Sequence, residues 1–293
     1  MRSFKISKSL IYAFFIALSL MFIVPIIVMV SVSISDEAYI LESGYSILPQ
    51  KISFEAYKFV FANPDAILRS YLVTASSSFI GAFFSLIFMM MCAYPLARRE
   101  FKIKKAIAFY LFFTMIFGGG IVPKYIVVTQ MLKLKNSYMI LLLNVMVDVW
   151  FIFILRTFIS DINEAIFESA TIDGASQFRV FWKIVMPLSK PAIATFGLFM
   201  LLRYWNEWMT ALLYIDNSKL YPLQYLLQKI LKDLEVVLRN MDKMPAGAKD
   251  NYKVPSESVR MAMAVIATGP MLFIMPFFQK YFVRGMQLGS VKG

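Results

Sequence analysis

The sequence predicts an all-α, polytopic membrane protein with about six transmembrane helices, and three observations carry that expectation. First, 59 % of its 293 residues are apolar, with 28 Phe and 20 Met, and only 16 % are charged. A soluble domain of this size is about 45–50 % apolar, so there is more apolar side chain here than one core can hide. Second, runs of about 18 or more nearly uncharged residues recur, each long enough to cross a hydrocarbon core roughly 30 Å thick as a helix. Third, none of these runs shows the alternating pattern, about ten residues long, of a barrel strand. A backbone in lipid has to satisfy its own hydrogen bonds, so the spans are helices.

The expected spans are 10–34, 70–97, 106–131, 138–157, 191–215 and 260–282. Arg2, Lys5 and Lys8 precede the first as they would in a signal peptide. That run is about twice the length of a signal h-region and lacks an A-x-A cleavage site, so it is expected to be retained. Six spans put both termini on one side. Positive charge is concentrated in the N-terminal tail, in Arg98, Arg99, Lys102, Lys104 and Lys105, and in Lys280, Arg284 and Lys292, which marks that side as the cytoplasm. The connection 216–259 also holds Lys219, Lys229, Lys232, Arg239, Lys243, Lys249 and Lys253, but these are spread out among Asp216, Asp233, Glu235, Asp242, Asp250 and Glu257. The net charge of +12 then follows from retention of Lys and Arg during insertion, and no nucleic-acid partner is expected. The chain has no His and a single Cys, Cys92 inside an apolar run, which excludes a disulfide framework and argues against a metal site.

In the third span, Phe117, Gly118, Gly119, Gly120, Ile121, Val122 and Pro123 should unwind or kink the helix. Close helix packing through small residues explains such a stretch; so does an irregular segment near the outer mouth of a pathway. In 216–259, Leu223, Leu226, Leu227, Ile230, Leu231, Leu234, Val237, Leu238 and Met241 recur at three- and four-residue steps, giving an amphipathic helix. It lies on the membrane surface or packs on its own spans, or forms a platform for an external partner, and the two readings are compatible.

Ionisable groups at membrane depth are costly unless paired or wetted, so Lys124, Asp148, Arg203 and Glu207 are pathway or pairing candidates. Arg203 and Glu207 stand four apart on one helix, and a structural ion pair explains both as well as ligand contact does. Trp205, Asn206, Glu207 and Trp208 set flat aromatic faces beside polar groups, a combination that suits sugars. Interfacial anchoring or helix packing accounts for the tryptophans equally.

The connection between the fourth and fifth spans, 164–187, reads as two short helices around a tight turn. Glu164 and Glu168 suit the N-terminal half of the first helix, Asp173-Gly174 signals the turn, and Pro187 is expected to stop the second helix. Phe178, Phe181, Trp182 and Val185 share one face of that second helix, and an exposed aromatic face implies a docking partner. Glu168-x-Ala170, Asp173-Gly174-Ala175, Ile184 and Pro187 resemble the EAA loop of ABC-importer permeases. Gly174 lies six residues after Glu168, Ile184 ten after Gly174 and Pro187 three further, as in that family. Ser169 departs from the pattern, replacing the first Ala of the pair with another small residue.

The resemblance extends over essentially all of 1–293, through Arg156-Thr157-Phe158, Trp205-Asn206-Glu207-Trp208, Leu220-Tyr221-Pro222, Pro255-Ser256-Glu257-Ser258 and Gln279-Lys280-Tyr281-Phe282. These segments look like the maltose-permease-like subunits of carbohydrate importers, and the chain is similar to the second permease subunit of bacterial alginate importers. The resemblance implies a single transmembrane domain of the type I importer permease fold in the bacterial inner membrane. It implies no catalytic residue and no cofactor in the chain, with ATP and Mg bound by two separate ATPase subunits. A second, homologous but non-identical permease and an external solute-binding protein complete the set of partners. Glu164, Glu168, Ala170, Asp173, Gly174, Phe178, Phe181, Trp182, Ile184 and Pro187 are then the ATPase-coupling residues, with Phe181 or Trp182 as anchor. If the cargo is a polyuronate, Lys124 and Arg203 suit its carboxylates. The chain has no G-x-x-x-x-G-K-[ST] loop, and 118–124 lacks its spacing. Competing readings are a gradient-driven secondary transporter, for which an internal repeat would be expected and is not evident, an ABC permease for amino acids, peptides or metals, and a ligand-gated channel.

Overall fold

The computed structural model describes residues 2–241 and 256–289, with side chains for 8–240 and 256–277. Asp242, Lys243, Lys249, Asp250, Lys253, Pro255 and Lys292, and the side chains of Arg2, Lys5, Met241, Lys280 and Arg284, lie outside what is described. Among the described residues there is no strand beyond a single bridge between Ser35 and Ile52, and the rest of the regular structure is helical.

Among the described residues three helices are long and apolar enough to cross a membrane: Lys8–Ser33 within α1 (Arg2–Ser33), α4 (Pro64–Ala97), and Glu257–Phe277 within α15 (Glu257–Gly289). The short α2 (Glu37–Ser43) and α3 (Glu55–Val60) lie between the first two. Two further helix pairs reach that length and apolarity only when each is taken together across a sharp bend. Lys104–Ile116 (α5) and Ile121–Met131, which opens with α6 (Ile121–Ile126), meet at 110°, and Gln177–Leu188 and Lys190–Trp205 (α12) meet at 80°. The first bend falls on the glycine run, where Gly120 takes φ 80°, a left-handed conformation that favours glycine.

The expected span 138–157 is not continuous. It is α7 (Tyr138–Leu143) and α8 (Val149–Ser160), because Asp148 leaves helical geometry to cap α8, its carboxylate accepting from the Phe151 amide at 3.2 Å. The expected span 191–215 is likewise interrupted, between α12 and α13 (Met209–Tyr214). There the Glu207 carboxylate accepts from both the Thr210 amide at 2.8 Å and the Thr210 hydroxyl at 2.9 Å, which starts the new helix.

The chain divides into two compact units, Met1–Ile67 with Leu226–Pro270, and Leu68–Tyr225 with Met271–Gly293. In the first unit the Glu37 carboxylate meets the N-terminus of α15. It accepts from the amides of Ser256, Glu257 and Ser258 at 2.9 Å, and from the Ser256 and Ser258 hydroxyls at 2.9 and 2.7 Å. A carboxylate at a helix N-terminus is favoured by both free amides and helix dipole. In the second unit the core gathers Met89, Met90 and Ala93 of α4, Ile152, Leu155 and Ile159 of α8, and Phe196, Met200 and Tyr204 of α12.

The amphipathic segment forms one helix, α14 (Leu223–Met241), with Leu223, Leu227 and Leu234 buried. Val237, expected on its apolar face, is exposed beside Val236, which narrows the buried stripe to the leucines.

Candidate functional site

The 164–188 hook is built by local signals. The Asn163 side chain accepts from the Ala165 amide at 3.0 Å and opens α9 (Glu164–Ile172). The helix closes with the Ala175 amide donating to the Ala170 carbonyl at 2.9 Å and the Gly174 amide to that of Thr171 at 3.0 Å. This paired ending needs a left-handed residue just past the cap, and Gly174 supplies it at φ 69°. The Ser176 hydroxyl then accepts from the Arg179 amide at 3.3 Å, opening α10 (Gln177–Val180). A π-type turn, Phe181–Val185, carries the chain into α11 (Met186–Leu188). Pro187 therefore lies inside the last turn instead of ending the helix at itself, and the chain bends immediately beyond it, at Ser189.

The expected single aromatic face is split by packing. Phe181 and Val185 are buried with Phe167, Ala170 and Val180 in the core, the Phe181 ring 5.8 Å from that of Tyr94. Phe178 and Trp182 stay outside, edge to face at 6.1 Å, with Phe178 67 % and Ile172 85 % exposed. The four side chains straddle the edge of the packed face, so Phe181 is an internal anchor and only Phe178 and Trp182 are open to a partner. Glu168, Asp173, Gly174 and Pro187 are exposed and Ile184 is half-buried. Glu164 faces inward, where it accepts from the buried Arg98 guanidinium at 2.9 Å. That guanidinium also lies 4.2 Å over the Phe167 ring, and the Tyr94 hydroxyl donates to the Gln177 side chain at 2.6 Å. Arg98 reads in the sequence only as topology charge; its partner is 66 residues away.

The candidate path residues are arranged differently. Arg203 pairs with Asp148, not with Glu207. The helix break at 206 removes Glu207 from the fourth position beyond Arg203, and Thr210 takes it instead. Trp205 is 3 % exposed, its ring 6.4 Å from Tyr71, and so is a core side chain with no free face for a sugar. Asn206 is exposed, donating to the Leu202 carbonyl at 2.8 Å and accepting from the Gln224 side chain at 3.3 Å, while Trp208 is half-buried. Lys124 is exposed and has no ion pair among the described residues. A Cβ added at Gly118 or Gly120 would meet nothing within 4 Å, so neither packs closely against another described helix.

Two features near these residues went unread in the sequence. Gly81 lies under the Tyr204 ring, where a Cβ would fall 2.4 Å from a ring carbon, and the Tyr204 hydroxyl donates to the Leu142 carbonyl at 2.5 Å. Asn136, at φ 58°, accepts from the amides of Asp216 and Asn217 at 2.5 and 3.0 Å, stapling two loops. Beside it the Lys135 ammonium, 2.9 Å away, holds the Asp216 carboxyl below its ordinary value.

Comparison with known proteins fits this geometry. Residues 56–288 match the family of binding-protein-dependent transport system inner membrane components, and the chain belongs to that family. It is 36 % identical to the polygalacturonan/rhamnogalacturonan transport system permease protein YtcP of Bacillus subtilis (strain 168), covering 99 % of each chain. It is 37 % identical to protein LplC of the same organism, covering 92 % of this chain and 90 % of that one. A chain from the crystal structure of a bacterial ABC transporter involved in the import of the acidic polysaccharide alginate matches with a TM-score of 0.77 at 29 % identity, over 96 % of this chain and 97 % of the other. The protein is thus a polytopic, all-α permease subunit of an ABC importer, from a group with several members named for carbohydrate cargo.

Proposed function

We propose that this permease lines half of a path for an oligosaccharide or polysaccharide carrying carboxylates, and that the hook at 164–188 faces the cytosol and seats in a separate ATPase subunit. Its partners are a related permease, two ATPase subunits that bind ATP and Mg, and an external solute-binding protein, with both termini cytoplasmic in a bacterial inner membrane. The acidic cargo of two similar proteins supports the substrate class. The exposed Lys124 and the Arg203 side chain, 40 % exposed, supply cations suited to it.

One observation carries the coupling role: the hook has an apolar tip in the open, Ile172, Phe178 and Trp182, on a body welded to the core through Phe167, Phe181 and Val185. A partner closing on that tip moves α4, α8 and α12 with it. Swinging a two-state bundle from one part in a hundred to ninety-nine takes about 5.5 kcal/mol of differential binding, so the joint has to be stiff. Gly174→Trp tests this. An indole there protrudes from the tip, since nothing lies within 4 Å of the Gly174 Cβ position. A φ of 69° strains any β-carbon, so Gly174→Ala, with the strain and without the bulk, has to keep uptake for the loss to be one of docking. Gly174→Asn is the second control, because Asn tolerates positive φ and adds little bulk. The expectation is normal membrane insertion with uptake abolished in Gly174→Trp and largely kept in Gly174→Asn. Normal uptake by an assembled Gly174→Trp complex would refute the coupling role.

A further inference from the structure

We infer that a basic pocket at the foot of the hook binds a phosphate-type oxyanion. The pocket, about 340 Å3, opens where α4 ends, α5 begins and α8 meets α9. Arg98, Arg99, Lys104 and Arg156 line it, against a single carboxylate, Glu164. A second acid, Glu100, takes one Arg98 nitrogen at 3.1 Å, but its side chain is 66 % exposed and lies outside the pocket. The cations are therefore in excess, and an anion is the group that relieves their repulsion.

The donors are also underused. Arg98 is 6 % exposed; its terminal nitrogens hold Glu164 and Glu100, and its Nε is buried with no hydrogen-bond partner among the described residues. Lys104 gives two bonds, to the Arg98 and Arg99 carbonyls at 2.9 and 3.4 Å, which leaves one ammonium proton over. Arg99 stands 3.9 Å from Glu164, and half-buried Arg156 has no ion pair among the described residues. Positive charge at a membrane face needs no ligand, but that bias does not make cations from three helix ends converge on one cavity. Guanidinium forks and an ammonium match the several oxygens of a phosphate. The pocket sits at the end of α4, a helix long and apolar enough to cross a membrane, and basic pockets beside the ends of such helices take anionic headgroups. An oxyanion here ties α5 and α8 to Arg98 and Glu164, and so to the first turn of the hook. The phosphate comes either from an anionic lipid or from solution.

The test uses the full chain purified with its partner subunits, in nanodiscs of phosphatidylcholine with or without phosphatidylglycerol. Lipid retained is counted by native mass spectrometry, and thermal unfolding is followed with and without inorganic phosphate. If a lipid is the source, the wild type retains phosphatidylglycerol selectively, and Arg156→Gln and Lys104→Gln each weaken retention by about fivefold, while Arg156→Lys keeps most of it. If the source is soluble, lipid selectivity is absent and inorganic phosphate raises the midpoint of the wild type but not of the Gln variants. The two Gln variants test the pocket separately, so failure of one to assemble leaves the other. Wild type showing neither lipid selectivity nor a phosphate response, or Gln variants that behave as wild type in both, overturns the assignment.

Discussion

The hook and the broken fifth span are both irregular helical segments of one unit, and both join local caps to distant contacts, in different proportion. The hook takes its shape mostly from neighbours in sequence: Asn163 and Ser176 cap, and Gly174 turns. The 203–210 segment has one local cap, Glu207 on Thr210, and otherwise leans on distant residues: Asp148 on Arg203, Asn144 donating to Thr210 at 2.6 Å across 66 positions, and Tyr71 beside Trp205. A lever that has to keep its form while being pushed is well served by local order. A segment beside a path can depend on its surroundings, and its shape then changes when they do.

The largest expected effect separates the two directly. Trp205→Ala removes a buried ring and should destabilise the protein by about 3–5 kcal/mol, seen as a lower unfolding midpoint in detergent. Phe178→Ala, at the open tip, should change stability by no more than about 0.5 kcal/mol while reducing stimulated ATP hydrolysis and uptake. A Trp205→Ala protein of unchanged midpoint but altered cargo preference would break the comparison, since that ring would then be a contact surface after all.

The same division explains how much could be read in advance. The hook's turn at Gly174 and the break at the glycine run were legible because φ restrictions and missing donors act on the residues that carry them. The split of the aromatic face was not, because whether Phe181 or Phe178 turns inward is decided by Tyr94 on another helix. Arg203 with Glu207 was the natural local pairing; it failed because Glu207 was needed to start α13. Burial of Trp205 had no local sign either, since a tryptophan next to Asn and Glu reads the same in a core as at a binding face.

Asp148 lets local and distant contributions be weighed at one residue, because it both caps α8 and pairs with Arg203. Asp148→Asn keeps a good cap and loses the charge; Asp148→Ala loses both. The Ala variant should be about 1 kcal/mol less stable than the Asn variant, the worth of a cap. The Asn variant should fall within about 1 kcal/mol of wild type, because a partly exposed ion pair contributes little. A larger drop for Asn than that would make the distant pair the dominant support of the segment. Uptake of acidic against neutral oligosaccharides by Asp148→Asn adds a second readout, since an unpaired Arg203 should favour the acidic cargo.

The smallest effect at neutral pH concerns Glu37, a distant contact in the other unit. Burial raises its carboxyl, but the amide of Glu257, the hydroxyl and amide of Ser258 and the amide of Ser256 lower it more, and the net position is below the ordinary value of about 4.5. A group depressed on folding contributes stability that is fully present above its unfolded value and lost as pH falls through the folded one. Unfolding midpoints of the wild type should therefore stay flat in this respect from neutral pH down to about 5, then fall. Glu37→Gln should start lower, since an amide offers one acceptor oxygen where the carboxylate offers two, and should lack that part of the acid-side decline. Parallel acid profiles for wild type and variant would mean that the five donors around Glu37 hold α15 no better than water does.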